Sequence, residues 1–395
     1  MRNVIIVCDG AGPTGGTERV AITSALGLQQ RGFNVTYFAG EPISTLELDG
    51  INCVTLNLAD AYNSSKAEVL KRFVWNPDAA TTFGKLLNQY SPTDTVIHVH
   101  AFRRILSGAV IKEAKRQGFK LVFTLHDFGL VCPNTTLYIA PKNEICHHKP
   151  LSFACKTCQC THKGWPMKIM QTARGSKIAR EKIAQDFDHF IYVSEFSRKI
   201  IEPHLPKSTP STTIYNPVSS EQQPITTQRG DAFTYVGRLS QEKGVVGFAR
   251  AARIADVKCQ FIGDGPEREA ILAANPTAIL TGWLTHSEVQ AKIGQSRALV
   301  MPSLWYETAG LAVIEAVAQG IPAIVAKNCA STEYVEHGKT GVHYQGEKEL
   351  ATILTAMTQE RATELGAAAY DQYWQTPLTT KKHLDQLIQV YQNLV

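Results

Sequence analysis

Residues Trp305–Val325 read WYETAGLAVIEAVAQGIPAIV. The apolar run RALVMPS (Arg297–Ser303) precedes them, and PAIVAK (Pro322–Lys327) overlaps their end. Two short β-rich runs thus flank one apolar helix. That strand–helix–strand rhythm implies a parallel, doubly wound sheet. Within the stretch, Glu307 stands just before small residues and Gly310, and Glu315 follows in an otherwise apolar run. A charged side chain in such a run needs a partner or a job.

The same rhythm extends in both directions. Upstream in this half, AFTYVGRLS (Ala232–Ser240) and VKCQFIGDG (Val257–Gly265) read as strands around the helix GVVGFARAARIA. The first half has its own set: NVIIVCD, NVTYFAG, TVIHVHA (Thr95–Ala101), KLVFTLHD (Lys120–Asp127) and HFIYVSE (His189–Glu195). Between the halves, PHLPKSTPSTTIYNPVSSEQQPITTQRG carries five prolines and many Ser/Thr residues, a composition that suits a linker and domain edge. The expected division is a first α/β domain over 1–207, a second over 208–375, and a C-terminal helix over 376–395. In that helix Leu384, Leu387, Ile388 and Tyr391 share one face.

Bulk properties narrow the class. A chain of 395 residues is long for one core and suits two domains. With 44% apolar and 19% charged residues it reads as globular. No apolar run approaches the roughly 18 residues of a membrane span, and the four-residue run VIIV near the N-terminus reads as a core strand, not a signal peptide. A cytoplasmic location is therefore expected. The net charge of +5 is uneven: residues 1–200 hold 24 Lys+Arg against 16 Asp+Glu, and the second half is slightly acidic. Either this is variation among solvated faces, or the first half meets something anionic. No nucleic-acid partner is expected.

Ligands of open α/β sheets bind beyond the carboxyl ends of the strands, so the motifs belong in strand-to-helix loops. GPTGGTE (Gly12–Glu18) joins the first strand to the first helix. There Gly15 and Gly16 allow close approach of a phosphate or sugar, although a plain tight turn would look the same. VGRLSQEKG (Val236–Gly244) puts Arg238 and Lys243 in one loop, where both can converge on a diphosphate or remain solvated surface cations. FIGDGPERE places Gly263 and Asp264 in a turn that fits a nucleotide loop or simple turn geometry. Around Gly310, the amides of Ala309, Gly310 and Leu311 can meet an anion. Glu307 and Glu315 are eight residues apart. If both were helical they would point about 80° apart, so they read as hydroxyl acceptors at separate points of one ligand. TLHDFGLVCP puts His126 and Asp127 at a first-domain strand end, where a lone histidine is often structural.

Taken together, GGTE, HD, VGRLSQEKG, GDGPERE, PSLWYETAGLAVIEAVAQGIP and STEYVEHGKTG resemble the retaining GT-B glycosyltransferases of family four, over nearly the whole chain. The resemblance implies two Rossmann-like domains facing across a cleft, with the C-terminal helix crossing back to the first. It implies a nucleotide-diphosphate sugar donor whose diphosphate meets Arg238 and Lys243. Glu307 would contact hydroxyls of the transferred sugar, and Glu315 those of the ribose. Gly16 would approach the phosphates, and His126 would sit beside the reacting sugar and acceptor. No motif demands a catalytic divalent metal. Other GT-B chemistry (an epimerase or a phosphorylase) and a non-catalytic sugar-nucleotide binder or scaffold are the alternatives.

Two features of the first half stand apart. Five cysteines fall between Cys132 and Cys160 in a Pro- and Lys-rich segment, 132–164, and CKTC has the spacing of half a zinc site. A structural zinc on Cys132, Cys146, Cys155 and Cys158 is the leading expectation, with Cys160, His147 and His162 as spare donors and free thiols or disulfides as alternatives. Next, Lys163–Gln185 carries Lys163, Lys168, Arg174, Lys177, Arg180 and Lys182 beside Trp165, Met167, Ile169 and Met170. It reads either as an ordinary surface helix or as a basic amphipathic segment on an anionic membrane surface. The second reading suits a saccharide or lipid-linked acceptor and a peripheral place on the inner face of the membrane.

Overall fold

The computed structural model describes residues 1–12, 15–42, 48–58, 72–218, 221–225 and 230–395. Parts of the Gly12–Glu18 loop and of the Pro-rich linker lie outside the described residues.

The chain folds as two compact units. Its strands, in chain order, are β1 (Asn3–Cys8), β2 (Asn34–Ala39), β3 (Asn52–Thr55), β4 (Thr95–Val99), β5 (Lys120–Leu125), β6 (Tyr138–Ile139), β7 (Glu144–Ile145), β8 (His189–Tyr192) and β9 (Ser211–Thr213) in the first half. In the second half they are β10 (Phe233–Val236), β11 (Cys259–Ile262), β12 (Ile279–Gly282), β13 (Ala298–Met301), β14 (Ala323–Ala326) and β15 (Gly341–Tyr344).

Unit one spans Met1–Leu137, His147–Pro217 and Thr380–Val395. Its sheet has the order β3-β2-β1-β4-β5-β8-β9, with every pairing parallel. The sequence explains the form: Val4–Cys8 and all of β4 are buried, as strands covered on both faces by helices must be. β9 pairs with β8 as an edge strand, so the unit runs on past residue 207 to Pro217. The C-terminal helix Thr380–Gln392 packs Leu384, Leu387, Val390 and Tyr391 into the same core as Ala21, Ala25 and Leu28 of the helix Gly16–Gln30. The two helices come so close at Gly27 that a Cβ there would stand 2.4 Å from Leu384 Cδ1. Ser24 Oγ bonds His383 Nε2 at 3.1 Å, and Arg31 pairs with Asp385 at 2.7 Å.

Unit two comprises Val218–Thr379 together with the short stretch Tyr138–Cys146. Its sheet order is β12-β11-β10-β13-β14-β15, again all parallel. The antiparallel hairpin β6–β7 joins this unit through Gln241, whose Nε2 donates to Ala140 O at 3.2 Å and to Asn143 Oδ1 at 2.5 Å. Val218 N donates to Leu378 O at 2.8 Å, fastening the chain's entry into unit two to its exit.

The topology says where ligands belong. In each sheet the strand order reverses beside the first strand, between β1 and β4 and between β10 and β13. The crevice at such a switch point, outside the carboxyl ends, is where open α/β sheets bind ligands.

Candidate functional site

In unit two, the loops leaving β10, β11 and β13 are stitched together by backbone contacts. Gly237 N donates to Ile262 O, Leu239 N to Asp264 O, Glu267 N to Leu239 O and Leu304 N to Glu242 O, all at 2.8–3.0 Å. Glycine is required at two of these approaches. Gly263 has φ +132°, and a Cβ there would lie 2.1 Å from Gly237 O; Gly244 has φ +69°, and its Cβ would lie 1.9 Å from Pro302 O. Asp264 is used locally, accepting from Gly265 N at 2.8 Å.

On this frame Lys243 and Glu307 form a close ion pair. Glu307 Oε2 accepts from Trp305 Nε1 at 3.2 Å and from Ser303 Oγ at 3.4 Å, while the Lys243 ammonium lies 4.9 Å from the Trp305 ring centre. Glu307 is also fixed through its backbone, which bridges to Cys329 and accepts from Ala330 N at 2.9 Å. The side chains of Lys243 and Glu307 keep 20% and 15% of their surface, so solvent still reaches the pair. Arg238 is exposed, on the same loop as Lys243. A cation and a carboxylate that now satisfy each other at a switch point can be parted by a ligand offering an anion to one and hydroxyls to the other.

The helix after β13 begins at Leu311, not at Glu307. The angle expected between Glu307 and Glu315 on a continuous helix therefore does not apply, since Glu307 sits in extended backbone. Gly310 is the cap, with φ +70°, and makes no side-chain cap bond; a Cβ there would stand 2.0 Å from Ser331 Oγ. The first-turn amides at Leu311 and Ala312 remain donors at the helix's positive end, whereas that of Val313 turns back to Gly310 O at 2.9 Å. Ala309 is buried beside the cap. Glu315 is buried, only 8% exposed.

In unit one, Gly15 caps the helix in extended backbone and Gly16 is its first residue. A Cβ on Gly15 would meet Glu18 Oε2 at 2.1 Å. His126 follows β5 directly, and its Nε2 bonds His100 Nδ1 at 2.9 Å. His98 bonds Thr124 Oγ1 at 2.7 Å and Tyr391 O–H at 2.5 Å. Burial holds His126 down to about 4, against the opposing pull of Asp127, and pushes His98 and His100 well below the ordinary histidine value. The three imidazoles are neutral near pH 7, able to donate or accept hydrogen bonds without carrying charge. Asp127 does not pair with His126: it takes an ion pair from Arg103 and a 2.8 Å bond from Gly129 N.

Two residues of this half were missed in the sequence. Asp9, 1% exposed, accepts from the amides of Arg104, Ile105 and Leu106 at 2.7–3.0 Å, tying the β1 loop to the β4 loop across the switch point. His100 is buried, and its Nε2 makes no hydrogen bond. The signal for both was their place immediately after an apolar strand run, in VIIVCD and VIHVH.

The zinc expectation is corrected. Among the described residues no three His, Cys, Asp or Glu side chains gather to hold a metal ion, so Cys132, Cys146, Cys155 and Cys158 do not form a tetrahedral set. No cysteine is in a disulfide. The segment is ordered by other means. Ser152 caps the helix Phe153–Thr157, Asn134 Nδ2 donates to Cys160 O at 3.0 Å, and the buried Arg174 donates to Arg103 O and Pro133 O at 3.1 Å. Cys146 belongs with the β6–β7 hairpin to unit two and the other three to unit one. The CxxC spacing described only half a site, and the fold does not bring the other half.

The family model described as Glycosyltransferase Family 4 matches residues 14–222, and that described as Glycosyl transferases group 1 matches 220–371. An uncharacterized 42.6 kDa protein in the cps region of Klebsiella pneumoniae is 25% identical over 327 residues, 78% of this chain and 79% of that one. A GDP-mannose-dependent alpha-mannosyltransferase of Corynebacterium glutamicum is 29% identical over 169 residues, 41% of this chain and 39% of its own. Among solved structures, sucrose-phosphate synthase from Thermosynechococcus elongatus superposes with TM-score 0.72 at 18% identity, covering 100% of this chain and 99% of that one. HepE from Anabaena, solved with UDP and glucose, gives 0.69 at 15% identity, with both chains fully covered. At such identities the likeness is one of fold, and it is the GT-B fold of two parallel α/β domains. With more than half its length matched by one family model and most of the remainder by the other, this chain belongs to the group 1, family 4 glycosyltransferases.

Proposed function

We propose that this glycosyltransferase moves a hexose from a nucleotide-diphosphate sugar to a saccharide or lipid-linked saccharide acceptor, with retention of configuration, in bacterial polysaccharide or glycan assembly. The observation that carries the reading is the Lys243–Glu307 pair on the stitched loops of the second switch point. The donor diphosphate takes Lys243 and the nearby Arg238, and the sugar hydroxyls take the carboxylate of Glu307. The amides that open the helix at Leu311 add positive potential under the phosphates. Glu315, buried one turn further on, accepts from the ribose hydroxyls. Gly263 and Asp264 border the nucleotide. On the first unit, Gly15 and Gly16 give the phosphates close approach to backbone, and the neutral His126 hydrogen-bonds a sugar or acceptor hydroxyl.

Two cations and a helix end stabilise the charge that develops on the leaving diphosphate. Retention means that the acceptor oxygen bonds to the anomeric carbon on the face the diphosphate leaves. The departing oxygen is then the nearest base for the acceptor's proton. A relative in a cps region and an α-mannosyltransferase relative support glycan assembly as the setting. Among the described residues no helix is long and apolar enough to cross a membrane. The proposal sets the chain in the cytoplasm against the inner membrane face, where a lipid-linked acceptor would lie.

The test is a thermal-shift screen with UDP-, GDP- and ADP-sugars, since a ligand of the folded state raises the melting point by mass action. Transfer is then assayed with the stabilising donor, and the product's anomeric configuration is read by NMR. One nucleotide sugar stabilises the chain, and the product keeps the donor's configuration. Stabilisation without transfer to any saccharide acceptor would make the chain a binder, and inversion would remove the retaining assignment.

A further inference from the structure

A histidine that works at a site commonly has its ring fixed by a carboxylate or a carbonyl on one nitrogen. Asp127, the sequence neighbour of His126, does not fill that role, being taken by Arg103 and Gly129 N. His126 Nε2 instead meets the Nδ1 of His100, 2.9 Å away. The strands bring them together. β4 and β5 pair with His98 opposite Val122 and Val99 opposite Phe123. Side chains two apart share a face, so His98 and His100 of one strand meet Thr124 and His126 of the other. The His100 and His126 rings lie 20° apart in plane, with centres 5.2 Å apart. His98 packs against His100 with ring centres 4.2 Å apart, and is itself held by Tyr391 of the C-terminal helix and by Thr124. His100, 3% exposed, has little freedom to turn.

A hydrogen bond between two imidazole nitrogens holds one proton, which one nitrogen donates and the other accepts. Neutral rings carry one N–H each, so the two tautomers are coupled. If His100 Nδ1 donates, the His126 proton stands on Nδ1. If His126 Nε2 donates, the His100 proton stands on Nε2. The surroundings of His100 Nε2 decide between them: it is buried and meets no hydrogen-bond partner. Buried N–H groups are orphaned more rarely than acceptors, and an orphan carries its full desolvation penalty. The proton of His100 therefore belongs on Nδ1, inside the contact. Burial keeps both rings uncharged near neutral pH, in keeping with a single proton between them.

We infer that His100 is a positioning residue: by donating from Nδ1 to His126 Nε2 it fixes the His126 ring and holds the His126 proton on Nδ1. The inference rests on the proposed place of His126 beside the reacting sugar and acceptor, and deepens it. With its lone pair occupied, His126 serves there as a hydrogen-bond donor to an oxygen and not as the base for the acceptor's proton. That proton is left to the departing diphosphate oxygen.

The experiment first reads the tautomer, by nitrogen NMR of the full chain carrying isotope-labelled histidine, without nucleotide sugar. The His126 signals are those lost in His126→Asn. In the wild type they show a protonated Nδ1 and a bare Nε2. In His100→Phe, which keeps a buried ring and removes the donor, the His126 proton redistributes between the two nitrogens. With the stabilising donor, kcat of His100→Phe falls about tenfold, one hydrogen bond's worth, while the donor's thermal shift stays. His100→Asn, whose amide nitrogen stands where Nδ1 stood, restores the His126 tautomer and most of the rate. A wild-type His126 protonated on Nε2 overturns the inference, as does a His126 tautomer unchanged in His100→Phe. Equal rates in the Phe and Asn variants would make His100 a packing residue and overturn it too. The wild-type spectrum and His100→Asn carry the test if the Phe variant does not fold. The NMR arm needs neither donor nor acceptor, so it decides the tautomer even where the transferase reading fails.

Discussion

At the scale of single residues, the candidate site of the second unit could be proposed from sequence because its residues stand at strand ends. Arg238, Lys243, Glu307 and Glu315 could be picked out from place and type alone. Their mutual arrangement could not: that Lys243 and Glu307 pair, and that Trp305 and Ser303 hold the same carboxylate oxygen, depends on loops 64 residues apart in sequence. His126 and Asp127 were legible by type and place, and their partners were not. Adjacent residues at a strand end point to opposite sides, so His126 meets His100 and Asp127 meets Arg103. If the diphosphate replaces Glu307 at Lys243, then Lys243→Ala and Arg238→Ala each lower kcat/KM by roughly 30- to 1000-fold, the equivalent of about 2–4 kcal/mol of charge-assisted contact. Steady-state kinetics with the stabilising donor checks this, and near-wild-type turnover in both variants would remove the cations from the site. Glu307→Gln keeps one acceptor oxygen and retains more activity than Glu307→Ala. Equal turnover of both with the wild type would place Glu307 outside the site.

At the scale of elements, the strand–helix rhythm was readable because parallel strands are continuous apolar runs, and the described sheets contain all of them. Boundaries and attachments were less so. The helix after β13 starts four residues later than a continuous reading from Glu307 suggests, because Gly310 adopts φ +70° and resets the chain direction. The β6–β7 hairpin lies within a first-half insertion in sequence and yet folds with unit two, through side-chain contacts of Gln241 that no periodicity announces. Gly310 gives this element its test. Alanine there meets both a left-handed backbone and Ser331 Oγ at 2.0 Å. Gly310→Ala therefore destabilises the protein by roughly 1–3 kcal/mol, read as a lower urea midpoint, and it weakens donor stabilisation in thermal shift by moving the helix's first amides. An unchanged midpoint would mean that the loop relaxes freely and that the helix start is not fixed by this glycine.

At the scale of the whole molecule, the C-terminal helix is what makes unit one more than a local fold, since its core is completed by residues some 380 positions from its first strand. The amphipathic face of that helix was visible in the sequence. What lay beneath it was not: His98 and His383, both buried, join the helix to the sheet and to Ser24 through Tyr391 and the His383 ring itself. His383 also meets Tyr215 O at 3.0 Å. Burial lowers the titration of His98 and His100 well below the ordinary value, and that of His126 and His383 to about 4. In the unfolded chain each takes up a proton near pH 6.5. Above that pH both states are neutral and these groups contribute nothing to the pH dependence. Below it the unfolded chain binds protons that the folded one refuses, so stability falls as pH drops, levelling off for a given histidine only below its folded value. For His383, 5% exposed, the loss between pH 6.5 and 4 amounts to about 3 kcal/mol. Denaturant midpoints measured from pH 7.5 to 4.5 at fixed ionic strength therefore decline below pH 6.5. The His383→Asn variant, less stable at pH 7 for want of the full ring contacts, declines less steeply, by close to one proton's worth of slope. A variant whose stability falls in parallel with the wild type would show that His383 takes up its proton without unseating the helix, and that the acid sensitivity of unit one lies elsewhere.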